Sequence, residues 1–107
     1  MAQIVWTEPA LSDLEAIADY IALDNPAAAQ KLVHRVFEHV DQLKSFPDSG
    51  SKPPELKSWA YRQIVEPPCR VFYRHERHVV YILHVIRSEQ RLRRTKLAKL
   101  DAGKNES

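Results

Sequence analysis

The chain opens with a short alternating segment, Gln3 to Trp6, that reads as a strand, and then the spacing of its apolar residues changes. Leu11, Leu14, Ile17, Ala18 and Ile21 recur at three- and four-residue intervals, which makes one face of a helix apolar. Thr7 stands where a capping hydroxyl is wanted. Pro9 is tolerated in a first turn because the amide hydrogen it lacks would have no helical partner there. Asn25-Pro26 stops this helix and starts the next: the residue before a proline avoids helical angles, whereas proline suits a first helical position. The second helix carries Ala29, Leu32, Val33, Val36, Phe37, Val40 and Leu43 on one side and Lys31, Arg35, Glu38 and Asp41 on the other. So short a connection between two amphipathic helices folds them back into a hairpin.

Phe46-Pro47-Asp48-Ser49-Gly50 ends the hairpin, residues 51–54 form a loop, and three strand-like runs follow at 59–66, 69–75 and 78–87. Pro67-Pro68 and Glu76-Arg77 separate them, and gaps this short demand antiparallel pairing. The last run, Val79-Val80-Tyr81-Ile82-Leu83-His84-Val85-Ile86, is apolar on both alternating faces, the mark of a central strand covered on each side. Arg87 then stands at the rim of the sheet. Residues 89–100 suit a basic helix with a thin apolar stripe of Leu92, Leu97 and Leu100, and 101–107 read as a disordered tail. The expected fold is α+β, in the order β-α-α-β-β-β. A helical hairpin packs on a small, mainly antiparallel sheet, and residues 1–100 form one domain ending in a basic helix or tail.

Composition narrows the class. At 107 residues there is room for one core, and the single Cys69 cannot close an internal disulfide, which fits a reducing compartment. No segment resembles a signal peptide and no apolar run approaches the roughly 20 residues of a membrane span, so a soluble cytoplasmic protein without membrane contact is expected. The net charge of +2 hides an asymmetry. Glu8, Asp13, Glu15, Asp19 and Asp24 crowd the first helix without a lysine or arginine, whereas Arg87, Arg91, Arg93, Arg94, Lys96 and Lys99 face only Glu89 near the other end. An acidic or nucleic-acid partner suits that basic end.

Candidate chemistry is sparse. His34 and His39 do not share a helix face, His75 and His78 flank a turn, and no set of ligands converges as zinc requires, so no metal and no cofactor are expected. His84 sits within the apolar strand as a core or rim histidine, with a general-base role as the alternative. Cys69 has neither a base nor a cation aimed at it, and two glycines cannot build a phosphate loop. Arg70 and Arg74 share a strand face with Phe72. Guanidinium groups there suit phosphate or carboxylate, either in a partner or in an internal ion pair.

The chain resembles the ParE/RelE toxin superfamily of bacterial toxin–antitoxin modules. The resemblance runs from Ile4 to Leu92. Its carriers are Trp6-Thr7, then Asp13-Leu14-Glu15-Ala16-Ile17 with Tyr20-Ile21, then Asn25-Pro26-Ala27-Ala28-Ala29. Leu43 with Phe46-Pro47 and Gly50, Arg70-Val71-Phe72-Tyr73-Arg74 and Ile82-Leu83-His84-Val85-Ile86-Arg87 complete the set. The resemblance implies the same β-α-α-β-β-β order and a cytoplasmic toxin, of the kind called plasmid stabilisation proteins, silenced by a small antitoxin that folds as it binds. It also implies an assembly of two toxins with two antitoxins, or a toxin homodimer.

Two activities occur in the superfamily. RelE-like members cut mRNA on the ribosome with sheet lysines and arginines and, in some, a C-terminal tyrosine. ParE-like members poison DNA gyrase. On the RelE-like pattern Arg70 matches a strand arginine, but Tyr61 and Gln63 fall where lysines are expected, Arg94 near the tyrosine, and Ser88 by a second arginine that Arg87 covers with a one-residue shift. Metal-free phosphodiester cleavage needs groups that move protons, and those are the ones missing. The expectation is therefore a gyrase inhibitor that acts by binding, neutralised by a ParD-like antitoxin. Its target contacts would be Arg70, Arg74, Arg87, Arg91, Arg94 and Lys96, and its antitoxin contacts Leu14, Ile17, Ile21, Val36 and Val40. The runner-up is a ribosome-dependent mRNA endoribonuclease using Arg62, Arg70, His84 and Arg87. A non-toxic, antitoxin-binding relative is third.

Overall fold

A computed structural model of the protein describes residues 1–57 and 59–104. The elements run β1 (Gln3–Trp6), α1 (Glu8–Ala22), α2 (Pro26–Asp41), β2 (Tyr61–Glu66), β3 (Cys69–Glu76), β4 (Val79–Arg87) and α3 (Arg94–Ala102). Short 3-10 turns lie at Gln42–Lys44 and Pro54–Leu56. The expected order holds, and so do the starts of the first two helices. Thr7 Oγ1 accepts from Ala10 N–H at 3.4 Å and itself donates to the Ile82 carbonyl at 2.7 Å, so one hydroxyl caps α1 and ties it to the sheet. Asn25 Oδ1 accepts from Ala28 N–H at 3.0 Å at the start of α2.

The four strands lie in the order β1-β4-β3-β2. Tight turns make β2–β3 and β3–β4 antiparallel, whereas β1 joins β4 in parallel because the helical hairpin intervenes. The Pro67–Pro68 peptide is cis, and Arg77 takes a φ of +58° in the turn between β3 and β4. The strand apolar on both faces is indeed central. Val80, Ile82 and Val85 join the core under α1 and α2, with Ala10, Leu14, Ile17, Leu32, Val36 and Val40. Leu83 and Ile86 join a second cluster on the opposite face, with Leu56, Tyr61, Phe72, Leu92 and Leu97. The strand changes its alternation at a bulge: Phe72 faces His84 while Tyr73 faces Ile82, so Leu83 is the extra residue.

Gly50 is required by close approach. A Cβ there would lie 2.6 Å from both the Gln63 carbonyl oxygen and the Tyr73 hydroxyl, and Gly50 N–H donates to that hydroxyl at 2.9 Å.

Three expectations need correction. The C-terminal helix begins at Arg94, not near residue 89, because the 88–93 segment is occupied in crossing the end of the sheet: Ser88 N–H donates to the Pro68 carbonyl and Leu92 N–H to Glu55. The domain boundary expected after Leu100 falls inside α3, where Asp101 is buried and hydrogen-bonded rather than part of a tail; residues 105–107 lie outside the described residues. Leu11 and Phe37, which helical spacing assigns to the apolar stripes, are 41% and 39% exposed. The sheet is too narrow to cover the margins of the hairpin.

Candidate functional site

The second face of the sheet carries the strand arginines, and both are occupied. Arg70 donates to both Glu55 carboxylate oxygens at 2.8 and 3.0 Å and through two nitrogens to Gln63 Oε1 at 3.0 and 2.8 Å. Its guanidinium lies 4.9 Å from the centroid of the Phe72 ring, and its side chain is only 11% exposed. The hydrogen bond from Arg70 holds the Glu55 carboxyl down at about 2, well below the usual carboxylate range. Glu55 also accepts from Leu92 N–H at 3.2 Å, so this pair joins the 54–56 turn, the sheet and the segment leading to α3.

Arg74 donates to Asp101 at 2.8 Å, and Tyr61 Oη donates to the same oxygen at 2.9 Å. Burial, reinforced by that Asp101 contact, pushes the Tyr61 hydroxyl up to about 12. Burial also works to raise the Asp101 carboxyl, but hydrogen bonds from Lys104, Tyr61 and Arg74 outweigh it and leave the pKa lowered. These contacts latch α3 to the sheet. Arg70 and Arg74 therefore pair internally, and neither of their partners comes from the acidic first helix.

The four groups of the ribonuclease alternative do not converge. Strand alternation and the pairing of Arg62 with Tyr73 place Arg62 on the hairpin side of the sheet, opposite Arg70, where it donates to the Gly50 carbonyl at 2.8 Å. His84 Nδ1 lies 2.6 Å from Asp13 of α1, whose same oxygen accepts from Val85 N–H at 3.1 Å. Beyond Ile82 no described strand continues along that edge of β4, and Asp13 caps the backbone there. Arg87 bridges to Glu89 at 3.2 Å and lies 5.2 Å from the Tyr20 ring centroid. Each group has a local structural partner.

The segment from 91 to 99 is different. Arg91, Arg93, Arg94, Lys96 and Lys99 are all exposed, and their side chains make no ion pair among the described residues. Leu92 and Leu97 turn inward, so burial of two leucines holds five cations outward. Lys96 and Lys99 line a cleft of about 510 Å³ that also touches Thr7 and Pro9 at the start of α1.

The hairpin presents a second, apolar surface. Leu14 and Val36 are not on it, being sealed in the core, whereas Ile17 and Val40, though largely buried, border surface clefts. Ile21 is partly buried against the same core. What the helices leave exposed is Leu11, Tyr20 (63%), Leu23 (85%) and Phe37. Two clefts lie on the hairpin, and Phe37 lines one of them; Tyr20 instead lines a separate cleft with Arg87 and Gln90. Of the two hairpin clefts, one of about 580 Å³ runs between α1 and α2 past Ala18, Ala22, Ala29 and Val33, and one of about 460 Å³ is lined by Ile4, Trp6, Phe37 and Val40. The exposed members lie at helix margins, where helical spacing alone cannot tell a stripe's edge from its centre. Glu55 and Asp101, the partners of the strand arginines, leave no signal in the linear pattern, because each is set by a fold-back of distant chain.

No described group of histidine, cysteine and carboxylate side chains could hold a metal, and no described helix is long and apolar enough to cross a membrane. Fold and surfaces together define a small α+β protein with exposed apolar side chains on its helical hairpin and a basic C-terminal segment. The model of the family described as the ParE toxin of the type II toxin–antitoxin system parDE matches residues 4–92. Toxin RelE2 of Caulobacter vibrioides is 37% identical over 79% of this chain and 93% of that relative, and Putative toxin Y4kP of Sinorhizobium fredii is 38% identical over 82% and 90%. A solved structure, the chromosomal ParDE TA system from P. aeruginosa, superposes with a TM-score of 0.69 at 29% identity, covering 83% of this chain and 98% of that one. The chain belongs to the ParE toxin family of type II toxin–antitoxin systems.

Proposed function

We propose that this toxin inhibits DNA gyrase by binding it, through the basic segment from Arg91 to Lys99 with Arg87 at its margin, and that a ParD-like antitoxin neutralises it. The observation that carries the reading is the contrast between occupied and free cations. Arg70 and Arg74 are held in ion pairs, while Arg91, Arg94 and Lys96 are exposed without an ionic partner among the described residues. A shielded, paired arginine such as Arg70 is costly to withdraw from its carboxylate, and Arg74, though more exposed, is committed to Asp101, so target contact falls to the free cations. The sheet face also offers little to move a proton at neutral pH: Tyr61 titrates near 12, Glu55 near 2, and Gln63 does not titrate. Binding without catalysis fits that inventory.

The antitoxin belongs on the hairpin. An amphipathic segment would place apolar side chains against Leu23 and Phe37 and into the two hairpin clefts. The ParDE name of the solved relative supports an antitoxin partner for a chain of this fold. The RelE name of the Caulobacter relative supports the second reading, ribosome-dependent mRNA cleavage.

The test is gyrase supercoiling of relaxed plasmid with the folded toxin. Inhibition with accumulation of cleaved DNA, relieved by the antitoxin, is expected. Gyrase activity untouched by folded toxin that cleaves mRNA on ribosomes would replace this reading with the second.

A further inference from the structure

The cleft between α3 and the start of α1 is lined by Thr7, Pro9, Lys96, Lys99, Leu100, Ala102, Gly103 and Lys104. Three of the eight are lysines and none is acidic. Lys104 is engaged by Asp101, at 3.1 Å, and by Glu76, leaving Lys96 and Lys99 to set the charge of the open side. The helix end adds little by itself. Pro9 has no amide hydrogen, and Ala10 N–H is already capped by Thr7, so the charge at the mouth comes from side chains. Arg91, Arg93 and Arg94 continue the same charge along the chain. Five like charges on some nine residues repel one another, a cost that a polyanion removes and a neutral surface does not.

We infer that this cleft and the segment leading into it are a seat for the sugar-phosphate backbone of duplex DNA, held by Lys96 and Lys99 and extended by Arg91, Arg93 and Arg94. The lining has no aromatic ring. Single-stranded RNA is usually gripped by stacking its bases on aromatic side chains, whereas a backbone reader of duplex needs only a track of cations. The inference rests on the reading of this segment as the target contact, and it makes the target include DNA as well as the protein that DNA is bound to.

The experiment is fluorescence anisotropy of a labelled duplex titrated with the full toxin over a series of salt concentrations, with no gyrase present. About four phosphates contacted give a log–log salt slope of roughly −3.6. The Lys96→Glu/Lys99→Glu variant should lose at least about tenfold in affinity and flatten the slope by roughly 2. Lys31→Glu, which changes an exposed cation on α2, should leave both nearly unchanged. Circular dichroism and melting of all variants should match the parent. Absence of duplex binding, a flat salt response, or an equal loss on Lys31→Glu would overturn the proposal. Tighter binding of single-stranded RNA would also overturn it, by assigning the cleft to RNA. Because no gyrase enters the assay, DNA binding by a toxin that leaves gyrase untouched would remove the gyrase reading and keep this one.

Discussion

Arg70 and Lys96 carry the same charge and serve opposite ends. Arg70 lies on the inner face of a covered sheet, where five hydrogen bonds and an aromatic ring surround it. Lys96 stands on a short helix anchored by Leu97 and Asp101, its ammonium turned to solvent. A buried guanidinium is held by a geometry that leaves no donor for a partner. An exposed ammonium has lost nothing on folding and can exchange its counterions for a partner's charge. The sheet therefore uses its cations for architecture, and α3 offers its own for contact.

Removing a cation from the first region should be felt in stability. Arg70→Ala leaves Glu55 desolvated without its partner and is expected to cost about 3–5 kcal/mol in urea unfolding. The double change Glu55→Leu/Arg70→Met should recover much of that loss, because the buried charge is then gone from both sides. A double variant as unstable as Arg70→Ala would mean that the polar cluster has a role apolar packing cannot fill.

The pH response of the same pair has a defined sign. The carboxyl of Glu55 is lowered from 4.5 to about 2. Its stabilisation is full above about 4.5 and is lost as pH falls through about 2, roughly 3 kcal/mol in all. Glu55→Gln should remove that part of the acid dependence, read as the difference between the two unfolding free energies from pH 5 to pH 2.

The latch beneath α3 comes next. Asp101→Asn weakens the hydrogen bonds from Arg74 and Tyr61 and is expected to cost about 1–3 kcal/mol. Faster amide exchange across Arg94–Ala102 than across β3 would locate the loss in the helix. Uniform acceleration would instead make α3 part of the global folding unit.

The smallest stability effect belongs to the second region. Arg91→Glu/Arg94→Glu should stay within about 0.5 kcal/mol of the parent, as surface changes do, yet reduce gyrase inhibition by at least tenfold. Unchanged inhibition in that folded variant would break the comparison, since the free cations would then be ordinary surface charge.

Much of the architecture is legible in the linear pattern of residues. Thr7, Asn25-Pro26 and the apolar spacing of α1 and α2 act within a few residues, so the local order of side chains contains their physics. The same holds for β3 and β4, whose short connections leave only antiparallel pairing. The site is legible in part. Exposure of Arg91, Arg94 and Lys96 follows from a segment with too few apolar residues to bury them. Helical spacing does not separate Leu14 and Val36, which the sheet covers, from Ile17 and Val40, which border clefts, because an apolar stripe shows which residues avoid water, not whether the sheet or a partner covers them.

The amino-acid order alone determined the elements, their sequence along the chain and the segregation of charge between its two ends, all of which depend on neighbours within a few turns. Only the tertiary structure decided which charges are free. Glu55 meets Arg70 across fifteen residues, Asp101 meets Arg74 across twenty-seven, and Asp13 meets His84 across seventy-one. Ion pairing acts through space over a few ångströms, so it is settled by what the fold brings together.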